Sequence, residues 1–417
     1  MGLEERTRVV VTGLGAMTPL ALTLEATWQG LVQGRSGVGP VTQFDASGCP
    51  SRIAGELKDF DPTRYLNRKE ARRMARCSQV SVAMLHEALA DAGLEAPVPN
   101  GDRVGVLIGT AIGGFECGIV AVDTHRRKGW GRVNPFDGMA MLLNMPSHHV
   151  SCSAGARGPI STVVAACASG TQAVGEAADF IRLGAADAMI TGGIEALVHF
   201  APFTTFCAMR ALSTRNDQPE RASRPFDVAR DGFVYSEGGA ILVLESLEHA
   251  QARGARIRAE VLGHASSSDA FHIAQPDPEG RGAIQAMSRA LEDAGLAPSD
   301  VNYINAHGTG TPINDPTETR AIKEVFGTGA YDIPISSTKS MIGHTMGGAG
   351  AIEAAICIKT IEHSTVHPTI NLDRPDPECD LDYVSEGPRQ VNVRVTLSNS
   401  FGLGGQNACL VLGRFED

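Results

Sequence analysis

The sequence lacks the features that mark membrane and secreted proteins. No apolar run approaches the length of a membrane span, and residues 1–6 lack a charged-then-apolar signal pattern. Gly2 does not begin a myristoylation motif, because Arg6 stands where serine or threonine is required. The nine cysteines are scattered and never spaced as CxxC, which argues against a disulfide framework or a zinc site. We therefore expect a protein of the reducing cytoplasm, with no membrane partner.

Aromatic residues and positive charge are also scarce. Aromatics make up 5% of the 417 residues, and 47 acidic side chains outnumber 36 basic ones, giving a net charge of −11. Such an acidic balance disfavours nucleic acid as a partner. Glycine is abundant, with 47 residues, so tight turns and close backbone packing are expected. The 43% hydrophobic content can fill one large or two medium domains.

A seven-residue segment occurs twice along the chain. Residues 88–94 read ALADAGL and residues 290–296 read ALEDAGL, and each predicts a helix end closed by glycine. An apolar strand and a glycine-rich loop follow each copy. Such helix endings are common by chance, but the matched order of helix, strand and loop favours a duplicated α/β unit. We predict two halves, residues 1–255 and 256–417, that pack as one unit.

Hydrophobic patterning elsewhere indicates the α/β class. Strands are predicted at residues 8–12, 104–110, 186–191, 240–244, 301–305 and 393–397, and helices at residues 79–92, 170–183, 283–294 and 349–361. Strands that alternate with helices predict parallel sheets in layers. The sequence Gly13-Leu14-Gly15 lacks the third glycine of a dinucleotide fingerprint, so we interpret it as the turn after the first strand.

Cys167 lies where a strand is predicted to turn into a helix. It follows the apolar residues 163–166 and precedes the small residues 168–174. Unpaired N–H groups and partial positive charge at a helix N-terminus stabilise a thiolate and can hold an oxyanion. The glycine loop 402–405 follows the strand 393–397 and is interpreted as the matching turn of the other half. Most cysteines are structural, but this context makes Cys167 the candidate nucleophile.

Two histidines and a lysine lie in small-residue loops of the second half. His307 closes a strand and begins HGTGTP, while Lys339 and His344 lie in SSTKSMIGH, ahead of a helix that carries Glu353. Histidine exchanges protons near neutral pH, and lysine can hold a carboxylate partner. Metal binding is the competing use, but neither loop has a second ligand at standard spacing.

Basic side chains are concentrated in two clusters of this acidic chain. The first cluster contains Arg64, Arg68, Lys69, Arg72, Arg73 and Arg76, and the second contains Arg126, Arg127, Lys128 and Arg132. The spacing of residues 68, 72 and 76 predicts three arginines on one helical stripe. Each cluster is either a solvated face or a docking surface for an acidic macromolecule or a phosphorylated ligand.

The motifs together resemble the β-ketoacyl-acyl-carrier-protein synthases of the thiolase-like fold, especially the chain-elongating type II enzymes. They are VVVTGLGAMTPL from Val9, AACASG from Ala165, RALSTRND from Arg210, ASRPFDVARDGFV from Ala222, NAHGTGTP from Asn305, SSTKSMIGH from Ser336, PTINLDRPDPECDLDYV from Pro368 and LSNSFGLGGQN from Leu397. The resemblance covers essentially the whole chain. It implies a five-layered αβαβα core made of two duplicated halves, and a homodimer.

The resemblance also assigns roles to residues. It implies a nucleophile, two histidines, a lysine and its ionic partner at Cys167, His307, His344, Lys339 and Glu353. The backbone amides of Cys167 and Leu403 would form an oxyanion hole. Substrate-binding residues would be Thr309 and Thr311 on the pantetheine arm, and Ile112 and Phe206 at the acyl chain. Acidic acyl carrier protein would dock on Arg68, Lys69 and Arg210, in agreement with the charge pattern.

The implied reaction is a decarboxylative Claisen condensation in fatty-acid elongation, with no metal or organic cofactor. Cys167 would take an acyl chain from carrier protein, malonyl-carrier protein would lose carbon dioxide, and β-ketoacyl-carrier protein would leave. The chain departs from the family pattern at Leu403, where elongating enzymes commonly carry a gating phenylalanine, and at Gly310, residues 345–348 and Tyr235-Ser236. A type II polyketide ketosynthase, alone or paired with a paralogous subunit as a heterodimer, is therefore the alternative. A non-catalytic scaffold is disfavoured because Cys167 is intact.

Overall fold

Helices and strands alternate along the chain in this computed structural model, which describes residues 6–416. The helices are α1 Leu24–Val32, α2 Arg68–Ala71, α3 Arg76–Asp91, α4 Phe115–Lys128, α5 Asp137–Ala140, α6 Met145–Ala154, α7 Ser169–Arg182, α8 Phe200–Ala208, α9 Leu247–Ala252, α10 Arg281–Ala294, α11 Asn314–Phe326, α12 Lys339–Ile342 and α13 Ala349–His363. The strands are β1 Val9–Met17, β2 Val38–Pro40, β3 Ile53–Gly55, β4 Val104–Gly109, β5 Ile160–Val163, β6 Ala188–Glu195, β7 Gly238–Ser246, β8 Ala259–Ser268, β9 Tyr303–Asn305, β10 Ile335–Ser336, β11 Thr365–Val366, β12 Arg389–Gln390, β13 Val395–Gly402 and β14 Gln406–Gly413.

The strand order of the main sheet repeats between the two halves. The first half contributes the order β5-β4-β6-β7-β1 and the second half the order β10-β9-β13-β14-β8. In each half the first two pairings are parallel and the next two antiparallel. The halves join where β1 pairs with β8 in antiparallel register. The predicted duplication is therefore confirmed, whereas the expectation of parallel sheets holds only for the first two pairings of each half.

The helices form three layers around the two five-stranded parts of the sheet. Helices α3 and α6 cover the first part from outside, α10 and α11 cover the second, and α7 and α13 lie between them. This is the expected αβαβα order. Both middle helices are packed on two sides, which explains their small side chains: a Cβ on Gly170 of α7 would lie 2.8 Å from the backbone nitrogen of Ala351 in α13.

Several boundaries differ from the sequence predictions. Strand β1 continues to Met17, so Gly13-Leu14-Gly15 lies within the strand and is not a turn. A Cβ on Gly13 would lie 2.3 Å from the carbonyl oxygen of Ala88, so glycine allows α3 to approach the strand closely. The predicted stripe of arginines at 68, 72 and 76 is also wrong, because α2 ends at Ala71 and α3 begins at Arg76.

The repeated helix endings have the predicted glycine closure. Gly93 after α3 and Gly295 after α10 both have φ of +67°, in the left-handed region that glycine adopts without strain. The predicted boundary at residues 255 and 256 falls in the connection between α9 and β8, and we keep it as a proposal. Within residues 6–416, no helix combines the length and the apolar character that a membrane crossing requires.

Candidate active site

Cys167 lies in a strained turn between a strand and a helix, as the sequence predicts. Strand β5 ends at Val163, a 3-10 turn spans Ala166–Ala168, and α7 begins directly afterwards. Ala166 has φ of +49°, a conformation that costs a residue with a Cβ about 1–2 kcal/mol. The Ser169 hydroxyl braces the turn: it accepts the Ala165 N–H at 2.9 Å and donates to the Ala166 carbonyl at 2.7 Å.

The second half contains the same kind of turn at a place that the sequence reading missed. A 3-10 turn at Met346–Gly348 precedes α13, and Met346 has φ of +47°. The glycine loop 402–405, which was expected to mirror Cys167, instead connects β13 to β14. A Cβ on Gly170 would lie 2.9 Å from the carbonyl oxygen of Gly347, so the N-terminal ends of α7 and α13 meet at the site.

The thiol and two imidazoles lie together. His344 Nε2 is 3.0 Å from Cys167 Sγ, and the rings of His307 and His344 are nearly perpendicular with centroids 5.4 Å apart. The sulfur and one ring nitrogen from each histidine lie within 4.8 Å of one another, and all three residues are buried. Sulfur and imidazole nitrogen are ligands that zinc accepts, so this trio could hold a metal ion. The absence of a metal from the reaction stays a prediction.

Burial controls the protonation of this group. It raises the pKa of Cys167 to about 11, although the Leu403 backbone N–H and the Lys339 charge both favour the thiolate. Burial, with the Lys339 charge, holds the pKa of His307 and of His344 well below the ordinary value. These shifts favour a neutral thiol beside two neutral imidazoles, and they oppose the thiolate that a helix N-terminus favours. The ionisation of Cys167 therefore stays a prediction.

Lys339 and Glu353 form a buried ion pair behind the histidines. Lys339 begins α12 and Glu353 lies on α13, and each side chain is 1% exposed. The ammonium Nζ donates to Glu353 Oε1. Burial raises the pKa of Glu353, which the lysine opposes. The pair places a positive charge next to the imidazoles without a solvent shell.

Glu318, which sequence reasoning missed, positions the His307 loop. Its carboxylate accepts the backbone N–H groups of His307 and Gly308, each at 2.8 Å, and the side-chain amide of Asn399 at 3.2 Å. Burial raises the pKa of Glu318 to about 7. The only signal in the sequence was a glutamate on the helix after HGTGTP, which periodicity alone does not separate from a surface residue.

A cavity of about 390 Å³ leads to the thiol. Its wall includes Cys167, both histidines, Leu403 and the predicted residues Thr309, Thr311 and Arg210. The two threonine hydroxyls are 3.1 Å apart. The wall is mostly apolar, with polar groups at few points, as in sites that bind an extended chain with a polar tail.

Besides Lys339 and Glu353, four predicted residues lie outside this cavity wall. Phe206 packs behind it in a hydrophobic cluster with Cys167 and Phe233, and Ile112 contributes its backbone N–H to Glu195 rather than a side chain to the cavity. Both were chosen as acyl-chain contacts and neither borders the open space, because aromatic packing fills the region behind the thiol. Arg68 and Lys69 are exposed on α2, away from the wall.

Comparison with solved structures shows which class of protein has this fold and this site. The chain superposes on a β-ketoacyl synthase from Burkholderia phymatum with a TM-score of 0.92 at 37% identity, covering 98% of this chain and 100% of that one. It also superposes on the ishigamide ketosynthase/chain length factor with a TM-score of 0.91 at 37% identity, covering 99% and 100%. The architecture is therefore the thiolase-like fold of ketosynthases.

Two family models match almost the whole chain. The N-terminal domain of beta-ketoacyl synthase matches residues 6–250 and the C-terminal domain matches residues 258–373. The chain belongs to the β-ketoacyl synthase family. It is 51% identical over 412 residues to 3-oxoacyl-[acyl-carrier-protein] synthase 2 of Synechocystis, covering 99% of each chain, and 47% identical over 413 residues to the protein of that name in Coxiella burnetii, covering 99% and 100%.

Proposed function

We propose that this protein is an acyltransferase that condenses acyl chains with malonyl-acyl carrier protein, releasing carbon dioxide and β-ketoacyl-acyl carrier protein in fatty-acid elongation. The observation that carries the proposal is the contact of Cys167 Sγ with His344 Nε2 at 3.0 Å, in a cavity that also presents His307 and the Leu403 amide. The relatives at 51% and 47% identity bear the name of this activity.

The first half-reaction transfers the acyl chain to Cys167. The neutral thiol gives its proton to His344 Nε2 as sulfur attacks the acyl carbonyl carbon, and the proton passes to the departing carrier thiol. The Leu403 N–H, which hydrogen-bonds the sulfur, lies beside the carbon under attack and with the Cys167 amide would hold the oxyanion. A carbon–sulfur bond forms and another breaks, so no cofactor is consumed.

The second half-reaction makes the carbon–carbon bond. With Cys167 acylated, His344 takes the tautomer that carries its proton on Nε2, and neutral His307 and His344 donate ring N–H groups to the malonyl thioester oxygen, where enolate charge grows as carbon dioxide leaves. The enolate carbon attacks the acyl-cysteine carbonyl, the carbon–sulfur bond breaks, and the thiolate regains a proton from solvent. Lys339 favours the Cys167 thiolate in the first step, and its charge keeps the imidazoles neutral for the second. Glu353 holds the lysine in place.

The mouth of the cavity suits a carrier protein and its arm. Thr309 and Thr311 present hydroxyl groups along the cavity wall, where the amides of a pantetheine arm would pass. Arg210 is part of the same wall, and Arg68 and Lys69 add exposed positive charge on a protein of net charge −11. One structural relative is a type II PKS acyl-carrier protein in complex with its ketosynthase, at 34% identity and a TM-score of 0.90.

The decisive experiment measures condensation with purified protein, acyl-carrier protein and malonyl-carrier protein. We expect release of carbon dioxide and β-ketoacyl product, and no acyl adduct or elongation with Cys167→Ala. Retained elongation by that variant would overturn the nucleophile assignment. Charge reversal by Arg210→Glu should raise KM for carrier protein and leave transfer from a pantetheine thioester unchanged.

A second candidate function is that of a type II polyketide ketosynthase, which Leu403 favours. Its side chain lies in the cavity wall beside the thiol and is smaller than the phenylalanine common in elongating relatives. Profiling products from acyl donors of graded length separates the candidates. Ordinary fatty chains made by this chain alone support elongation, whereas inactivity without a paralogous subunit supports the polyketide function.

We also propose that the protein is a homodimer joined at β5. This strand is the edge of the sheet and pairs only with β4 among the described strands, and Ile160 is 52% exposed. An edge with free N–H and C=O groups and an apolar side chain readily pairs with the same strand of a second copy.

A further inference from the structure

Glu195 is a buried carboxylate that receives donors from two separate loops. Backbone N–H groups of Ala111, Ile112 and Gly113 reach it at 2.8, 3.2 and 3.0 Å, and the Thr110 hydroxyl at 3.2 Å. All of these lie in the loop after β4. An acceptor-only group with about four lone-pair positions suits such a set of donors, and an amide does not.

The same carboxylate holds the turn that follows His344. It accepts the Gly347 N–H at 3.3 Å, and Gly347 follows Met346, whose left-handed φ strains the turn. A Cβ on Gly347 would lie 2.5 Å from the Ala111 nitrogen, so this turn and the loop after β4 are in direct contact around Glu195.

The loop after β4 in turn supports the turn that carries Cys167. The Ser169 hydroxyl lies 3.3 Å from the Thr110 carbonyl and shares its one proton between this carbonyl and that of Ala166, while it accepts the Ala165 N–H. Ala111 packs against the hydrophobic cluster that contains Cys167. One carboxylate therefore lies between the segment that places the thiol and the segment that places the imidazole.

We propose that Glu195 is a positioning residue of the condensing site, which sets the separation of Cys167 and His344 by tying their two turns together. The inference rests on the proposed function and adds a residue that touches neither the thiol nor the imidazole through a hydrogen bond. Its carboxylate acts through the amides of Ala111 and Gly347.

The test compares Glu195→Gln and Glu195→Asp with a matched control, Glu87→Gln. Glu87 is also a carboxylate that accepts two backbone N–H groups, but its donors, Ala16 and Leu24, lie in β1 and at the start of α1 rather than in the turns beside Cys167 and His344. We expect Glu195→Gln to lower kcat about 100-fold, the effect of misplacing reacting groups by about 1 Å, with KM for acyl-carrier protein within about twofold. Glu87→Gln should lower the melting temperature by about as much as Glu195→Gln does, but should keep kcat within about twofold of the natural protein.

A second measurement does not depend on condensation. The rate at which iodoacetamide alkylates Cys167 is measured in proteins that keep His344 and in proteins that carry His344→Asn. In the natural background we expect His344→Asn to slow alkylation about tenfold or more, since the imidazole accepts the thiol proton. In the Glu195→Gln background the same change should have less than a twofold effect, because the contact is already lost; Glu195→Asp serves if the glutamine variant does not fold.

The outcomes separate the two proposals. An unchanged effect of His344→Asn in the Glu195 variants, or a kcat equal to that of Glu87→Gln, would overturn the positioning role. If the natural protein shows no condensation while the alkylation coupling is present, the proposed function fails and the positioning role stands.

Discussion

At Cys167 the surroundings act on the proton in opposite directions. Removal of the sulfur from water favours the neutral thiol, while the Leu403 amide and the Lys339 charge favour the thiolate. The balance leaves the pKa at about 11, above the ordinary value of 9.0. A buried thiol of this kind is unreactive until a base accepts its proton, and His344 is that base by position.

The pH dependence of alkylation tests this balance. Iodoacetamide reacts with the thiolate, so the rate at Cys167 should still rise between pH 9 and pH 11. Peptide mass spectrometry after short exposures measures it, with exposed Cys152 as the internal reference. A rate that levels off by pH 8 would show that the helix N-terminus outweighs burial.

The Lys339–Glu353 pair gives a prediction of stability at the same scale. Lys339→Met leaves a buried carboxylate without its partner, which should cost about 3–5 kcal/mol of the free energy of unfolding. The double variant Lys339→Met/Glu353→Leu should recover most of this loss, because two apolar side chains need no partner. Urea unfolding of the natural protein, the two single variants Lys339→Met and Glu353→Leu, and the double variant gives the coupling free energy, and additive effects would contradict it.

Among the elements, the turn before α7 is the one that function constrains most. The positive φ of Ala166 aims Cys167 into the cavity. A Cβ added to Gly402 would lie 3.2 Å from the Cβ of Ala166, so the two backbones are in close contact. The turn is therefore held against the glycine loop that carries Leu403. Backbone strain and close packing both act at Ala166. Substitutions of this residue should therefore show whether activity depends on the turn rather than on overall stability.

Ala166→Gly should keep condensing activity within about threefold, since glycine adopts the left-handed conformation without strain. Ala166→Val should lose about 1–3 kcal/mol of stability and most of its activity, because a β-branched residue is strained at this φ and would contact Gly402. Thermal melts and acylation rates of the two variants measure the difference. Equal activity in both variants would show that catalysis does not depend on the left-handed conformation of residue 166.

Elements with local signals were predicted from the sequence, and features set by distant contacts were not. The strand, the turn and the helix around Cys167 follow from apolar residues and small residues in order, and the closure by Gly93 and Gly295 from a single residue type. Glu195 stands alone in the buried run GGIEAL, and its donors come from loops about 80 and 150 residues away in sequence. The antiparallel pairs and the early end of α2 likewise depend on neighbours in space.

For the whole molecule, exposed apolar surface indicates where a second copy would bind. Ile160 and Val164 are about half exposed at the β5 edge, and further apolar side chains are exposed on α4 and α5, including Phe115, Val122 and Met139. Exposed apolar side chains at the β5 edge suit a permanent interface, because such surface is covered in a stable dimer.

Ile160→Lys should convert the proposed dimer to monomer, because it places a charge in the strand pair of both copies. Sedimentation velocity at micromolar concentration measures the change, with Leu183→Lys, an exposed apolar residue at the end of α7, as the control. A dimer that Ile160→Lys leaves intact would place the interface elsewhere. A monomeric natural protein would show that there is no such interface.

The turn that carries Cys167 has a counterpart ahead of α13, where Gly347 occupies the place of the cysteine. The repeated turn thus gives two equivalent backbone positions, and only the first carries a nucleophile. A substitution at Gly347 cannot add a second nucleophile, because any side chain there would clash with the Ala111 backbone. The two halves now contribute different groups to one cavity: the first half supplies the thiol of Cys167, and the second supplies the imidazoles of His307 and His344.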